Sequence, residues 1–235
     1  MLNEYGKLIA SAAFEQTHWT AIHREPTIVA PHDLLMTMNI GFFCLCILLA
    51  LPTLARCQVV QMPSAADFQE GEQWTWRRVD ELTKLETAVV GRQTVQKDGA
   101  LAFLGTSKRY YTLDQIYKGR MGWREWPLEV GKAWKYKFQW SSPTGEPGAT
   151  SQDVKVVAYE KISVPAGTYM ALRIEYKGSW NMTDFAGRHW AGEVNDTWWY
   201  APEVKADVKH TFVTYGRHGS EQWISELMSY RPAAK

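Results

Sequence analysis

A carboxylate, an imidazole and a second carboxylate fall within ten residues at Asp184, His189 and Glu193. Grouped on one loop, these side chains would suit general acid–base hydrolysis or an oxygen-rich metal site. Gly187 lies among them, so the same stretch also reads as the polar loop of a hairpin, the preferred reading. His189, His210 and His218 lack the i, i+2 or i, i+4 spacing that converges on a metal from one element, and no metal or cofactor is expected. His210 alternates with Phe212, which places it on a strand, either hydrogen-bonded and half-buried or facing solvent. No G-x-S-x-G elbow occurs, and Gly105-Thr106-Ser107-Lys108 lacks the earlier glycine of a phosphate-binding loop.

The aromatic residues carry more information. Every tryptophan except Trp19 lies after residue 57. Trp74, Trp134 and Tyr136 fit a core. Trp123 and Trp126 stand between polar, glycine-containing stretches, Trp190 flanks the 181–188 loop, and Trp198 and Trp199 are adjacent, so on a strand they face opposite sides. Indoles beyond the needs of one core suggest a cleft for an apolar or glycan ligand or an envelope protein, built from Trp123, Trp126, Trp190, Trp198 and Trp199.

Composition bounds the rest. A formal net charge of +1 with mixed signs gives no electrostatic reason to expect nucleic acid. Residues 39–55 are apolar, and the wholly apolar part, Ile40 to Leu51, is shorter than the ~20 residues of a membrane span but fits the ~7–15 of a signal-peptide core. Residues 36–57 are therefore expected to form a hydrophobic leader helix, a signal peptide cleaved after Ala55, with a retained membrane anchor as the alternative. Residues 1–35 read as an unpatterned upstream extension, and 58–235 as a single exported β-domain in the periplasm or cell envelope. Leu54-Ala55-Arg56-Cys57 hints at lipidation of Cys57, although Arg56 replaces the small residue such signals need. All three cysteines (Cys44, Cys46, Cys57) belong to the leader, so residues 58–235 offer no disulfide, thiol nucleophile or thiolate zinc site.

The elements that would position these groups are strands. Period-two alternation runs through 74–76, 101–104, 132–140, 154–162, 170–176, 197–200, 208–215 and 222–230, with Asp98-Gly99 and Val164 to Thr168 as tight connections and 141–150 as a turn region. Helical turns are expected only within 65–69 and 107–116. The fold class is all-β: an antiparallel β-sandwich or a partly open β-barrel. Gly71-x-x-Trp74-x-Trp76-Arg77 returns as Gly131-x-x-Trp134-x-Tyr136-Lys137, either a duplicated half-sheet or convergence on one strand-opening device.

The order Gly131-x-x-Trp134-x-Tyr136, then Val164-Pro165-Ala166-Gly167-Thr168-Tyr169, then Trp199-Tyr200-Ala201-Pro202-Glu203-Val204 resembles a loose set of exported bacterial all-β proteins, a domain of unknown function. The resemblance covers roughly Gly71 to Tyr230, implies export and an all-β fold, and carries no catalytic residues. It departs from the pattern at Lys205-Ala206, where a glycine turn is expected. Together these features lead to an expectation of an exported, non-enzymatic binding domain. The alternatives are a hydrolase using Asp184, His189 and Glu193, or an assembly protein pairing through a sheet edge.

Overall fold

The computed structural model describes residues 58–119, 123–216 and 219–234; the leader and the upstream extension lie outside them. Ten strands form one antiparallel sheet: β1 (Gln73–Asp80), β2 (Glu86–Lys97), β3 (Ala100–Gly105), β4 (Tyr110–Thr112), β5 (Ala133–Ser141), β6 (Pro147–Val164), β7 (Gly167–Thr183), β8 (His189–Ala201), β9 (Ala206–Gly216) and β10 (Gly219–Arg231). The order across the sheet is β4-β3-β2-β1-β10-β9-β8-β7-β6-β5. The sandwich alternative is corrected: the strands make one continuous sheet rather than two, and it does not close, since β4 and β5 stand at its edges. Among the described residues no helix is long and apolar enough to cross a membrane.

Local sequence explains most of these strands. In β5 the buried Trp134 and Tyr136 alternate with exposed Lys135 and Lys137, which sets one face inward. Asp98 and Gly99 both take positive φ (52° and 75°), as a two-residue hairpin turn between twisted strands requires. Two expectations shift. β6 begins at Pro147, so part of the 141–150 turn region is strand, and 110–112 forms β4 before the short helix α1 (Leu113–Tyr117). Strand β2 was not foreseen: in Glu86–Lys97 only Arg92 and Thr94 are buried, leaving little apolar alternation to read.

β1 to β4 step outward one way from the middle of the sheet, and β10 back to β5 step outward the other way. The two series join where β1 pairs with β10, from Gln73↔Arg231 to Asp80↔Trp223. The chain must therefore pass from β4 at one edge to β5 at the other, and of that crossing residues 113–119 and 123–132 are described, lying over one face, here called the inner face. Thr112 caps α1 at the start of the crossing, its hydroxyl accepting from the Gln115 N–H while the Gln115 side chain accepts from the Thr112 N–H. Residues 58–70 lie over the same face, tied to the crossing where Val60 and Leu128 exchange backbone hydrogen bonds of 2.7 and 2.8 Å. Beneath these two segments Trp74, Phe103, Leu172, Ile174, Tyr200, Val208 and Leu227 are essentially water-free. This is the packed end of the sheet, where the Val164–Gly167 and Ala201–Ala206 connections lie.

The repeated Gly-x-x-Trp unit has one geometry in both copies. Gly71 (φ 90°) donates to Thr94 and Gly131 (φ 97°) to Val156, each at 2.8 Å; the return bonds, Thr94 to Glu72 and Val156 to Lys132, are each 2.9 Å. Six residues before each tryptophan sits a buried side chain, Phe68 in one copy and Leu128 in the other. The departure at Lys205 also resolves. Lys205 itself adopts the left-handed conformation a glycine would take (φ 52°, ψ 39°), and its Nζ donates to Glu72 Oε1 at 2.7 Å and to the Asp67 carbonyl at 2.8 Å. Those bonds offset the strain of a Cβ in that conformation.

Candidate functional site

Arg124 holds the crossing to the sheet. Its side chain is 1% exposed and Nη2 donates to Asp207 Oδ1 at 2.9 Å. Burial opposes a charge there, but Asp207 and the Tyr176 hydroxyl together outweigh it and hold the guanidinium protonated. The Trp123 ring lies 4.2 Å away, and Trp126 and Tyr200 flank the group at 5.9 and 5.4 Å. On either side, the Tyr176 hydroxyl donates to the Trp123 carbonyl (2.8 Å) and Trp126 Nε1 donates to the Tyr117 carbonyl (2.9 Å). Trp123 then stacks on Tyr176 and meets Trp198 edge-on at 5.0 Å.

Beyond Trp123 the inner face changes character. Asp196 on β8 and His210 on β9 meet at 2.7 Å, Oδ1 to Nε2, and Gln152 on β6 donates to the other oxygen of Asp196 at 2.9 Å. The imidazole is stacked on Trp198 at 3.3 Å and lies edge-on to Trp223 at 4.6 Å. Burial holds His210 below its ordinary 6.5, only partly offset by Asp196. Burial, with the Asp196 charge nearby, also pushes the Tyr136 phenol up.

Past this polar pair, Val194, Phe212 and Trp223 form a second apolar cluster with Trp180 packed on it; among the described residues it is built from strands alone. Phe212 stacks on Trp223 at 5.0 Å, and Arg78 lies over the same Trp223 ring at 3.9 Å. Trp180 lies across the neighbouring strands because Gly192 and Gly216 leave room: a Cβ on Gly192 would come within 2.7 Å of the indole and 2.0 Å of the Tyr215 carbonyl. This is the open end of the inner face. It carries the hairpin tips at 81–85, 142–146 and 184–188.

The structure gathers part of the expected set. Trp123, Trp126 and Trp198 come together around Tyr176, Tyr200 and Arg124. Trp190 is on the same face of β8 as Trp198 but eight residues nearer the open end, about 26 Å along a strand. There Nε1 donates to Asp184 at 3.2 Å. Trp199 points to the opposite side, with Nε1 donating to Glu160 at 2.9 Å. Asp184 anchors its own hairpin, accepting from the Ala186 and Arg188 N–H groups and from the Arg188 side chain. These bonds, the backbone one from Arg188 foremost, hold its carboxyl down at about 2. His189 bonds Thr183 at 3.0 Å, and Glu193 is exposed further along β8. No hydrogen bond joins any two of Asp184, His189 and Glu193 among the described residues.

Sequence reasoning missed the grouping of Asp196, Gln152 and Trp223 around His210. The available signal was parity: Asp196 shares a face of β8 with Trp198, and His210 shares a face of β9 with Phe212. Among the described residues no cluster of three or more His, Cys, Asp and Glu stands ready for a metal ion.

No family model matches the chain, and no curated protein does. Among solved structures it is similar to a Bacteroides fragilis protein with a YmcC-like fold, described as exported, at 13% identity and a TM-score of 0.43, over 74% of this chain and 100% of that one. A Parabacteroides distasonis protein, described as a lipoprotein, matches at 12% identity and a TM-score of 0.44, again over 74% and 100%. The hypothetical lipoprotein YmcC from Escherichia coli matches at 9% identity and a TM-score of 0.35, over 70% and 86%.

Proposed function

We propose that the protein is an exported binding domain, without catalytic activity of its own, that holds a ligand against the open end of its inner face. One observation carries this reading: the aromatic lining continues past Trp123, where the second apolar cluster is built from the strands alone. Half-buried Trp180 packs on it, and half-buried Trp198 stacks on His210 beside it. Ring faces backed by a rigid sheet and grouped around a few fixed polar atoms are the usual make-up of a small-molecule site. The Asp196–His210–Gln152 group forms the floor between the two ends and would fix the ligand's depth. Export rests on the apolar run at 39–55, and mass spectrometry of the secreted chain's N-terminus tests it directly.

Binding is tested with anilinonaphthalene sulfonate, whose emission rises on apolar surface. The native chain is expected to bind it saturably, with quenching of tryptophan emission, and Trp180→Ala to weaken that binding without lowering the melting temperature much. A native chain that leaves the dye dark, or a signal unchanged by Trp180→Ala, overturns the reading.

A further inference from the structure

We propose that the ligand of the open end is a linear acyl chain, laid along β8 and β9 with its polar head left outside at the hairpin tips. The inference rests on the binding reading above and names its ligand class.

The polar atoms of Trp140, Trp180 and Asp196 at this end are used up within the protein. Trp140 Nε1 donates to Thr150 (3.1 Å) and Trp180 Nε1 to Thr214 (3.0 Å), whose hydroxyl donates on to the Glu193 carbonyl (2.9 Å). Both oxygens of Asp196 are engaged by His210 and Gln152. What these side chains turn outward is ring surface. A sugar depends on directional partners, and burying its hydroxyls without them is costly, whereas a hydrocarbon chain asks for none. Charge does not oppose this: Asp196 is hydrogen-bonded by His210 and Gln152, Arg78 lies on the Trp223 ring, and burial raises the Glu221 carboxyl toward its neutral form.

Shape agrees. Trp140 lies flat because Gly148 has no side chain, a Cβ there coming within 2.5 Å of the indole; Gly216 serves Trp180 in the same way at 2.9 Å. Two indoles flat on a sheet make a smooth trough. From Trp198 to Trp190 it runs about 26 Å at strand rise, room for an extended chain. At the rim, Leu82, Leu85 and Phe185 are 64%, 66% and 75% exposed. Their loops are fixed rather than loose: Asp80 Oδ1 accepts from the Leu82 and Thr83 N–H groups, and Asp184 Oδ1 from those of Ala186 and Arg188. Apolar side chains held out at the mouth of an apolar trough suit transfer of a chain from a lipid surface.

The test uses the full chain with dansyl-undecanoic acid, phosphatidylcholine vesicles carrying a dansylated acyl lipid, and maltohexaose. Native protein is expected to bind the free acid saturably at micromolar concentration. Phe138→Asp, which puts a charge on the inward side of edge strand β5, is expected to weaken binding about tenfold, and Trp180→Ala several-fold. Lys137→Asp, on the opposite side of the same strand, leaves it within about twofold. All variants carry the same leader, so its own affinity for lipid cancels, and thermal melts confirm that each is folded. A Leu82→Ser/Phe185→Ser variant that keeps its affinity for the free acid but draws lipid from vesicles more slowly supports a bilayer source; equal rates support the free acid. Binding of maltohexaose without the acyl probe overturns the acyl inference and leaves the binding reading standing. Binding of neither, with the anilinonaphthalene signal also absent, overturns both.

Discussion

The packed end and the open end of the inner face are made from the same strands and the same kinds of side chain, yet they differ in what lies over them. At the packed end, Trp74 is wholly buried, its N–H donating to the Val204 carbonyl, with Phe68 from the 58–70 segment against its ring. At the open end, Trp180 donates to the Thr214 hydroxyl but is only half-buried. One residue type thus gives a wholly buried indole under the crossing and, in Trp180, a partly exposed one away from it.

The largest test of that contrast compares equal truncations. Trp74→Ala is expected to cost about 3–5 kcal/mol, as deep aromatic truncations do, and Trp180→Ala less than half as much. Denaturant unfolding of both variants measures it, and equal losses would mean that the open end is packed as tightly as the other.

Next in size is the anchor of the crossing. Arg124→Met leaves Asp207 unpaired in a mostly buried site and is expected to cost about 3 kcal/mol, with part regained when Asp207→Asn is added. If the single and double variants melt together, the crossing is held by its rings alone.

Lys205 gives a finer test at the packed end. Lys205→Ala and Lys205→Gly both lose the contact with Glu72, but only alanine keeps a Cβ in the left-handed conformation, so it is expected to be less stable than glycine by about 1 kcal/mol.

The smallest effects are in pH and belong to the open end. Burial lowers the His210 pKa, so below 6.5 the unfolded chain takes up a proton that the folded chain refuses, and stability falls as pH drops through 6.5. Glu221 behaves oppositely. Burial raises its carboxyl from 4.5 to about 7, so its contribution is complete below 4.5 and is lost as pH rises toward 7. Melting curves across that range should flatten at their upper end for Glu221→Gln and lose the His210 slope for His210→Gln.

Much of the fold was legible in the sequence because a half-buried strand writes its period into the chain. Trp134/Tyr136 against Lys135/Lys137, and Leu172/Ile174/Tyr176 against Arg173/Glu175, mark which side faces inward. The Gly71 and Gly131 units were legible as a repeat, although only the matched hydrogen bonds show that the two open their strands in the same way. The joining of all ten strands into one sheet was not legible, since that depends on β1 meeting β10, a pairing between residues about as far apart as the folded chain allows. The floor of the candidate site was hidden for the same reason. Asp196 and His210 touch diagonally across two strands, and without the register of β8 on β9 nothing in their spacing joins them. Trp198 and Trp199 were correctly placed on opposite sides, but which of them faced inward depended on the neighbouring strands.

The seam between β1 and β10 also bears on how the protein is made. Gln73 and Arg231 are register partners, so the first and last of the ten strands lie side by side. A chain emerging from its amino end presents an unpaired edge on β1 until β10 has been synthesised. Protection of that edge by a chaperone during biosynthesis would therefore matter more for this protein than for one whose neighbouring strands are also neighbours in sequence.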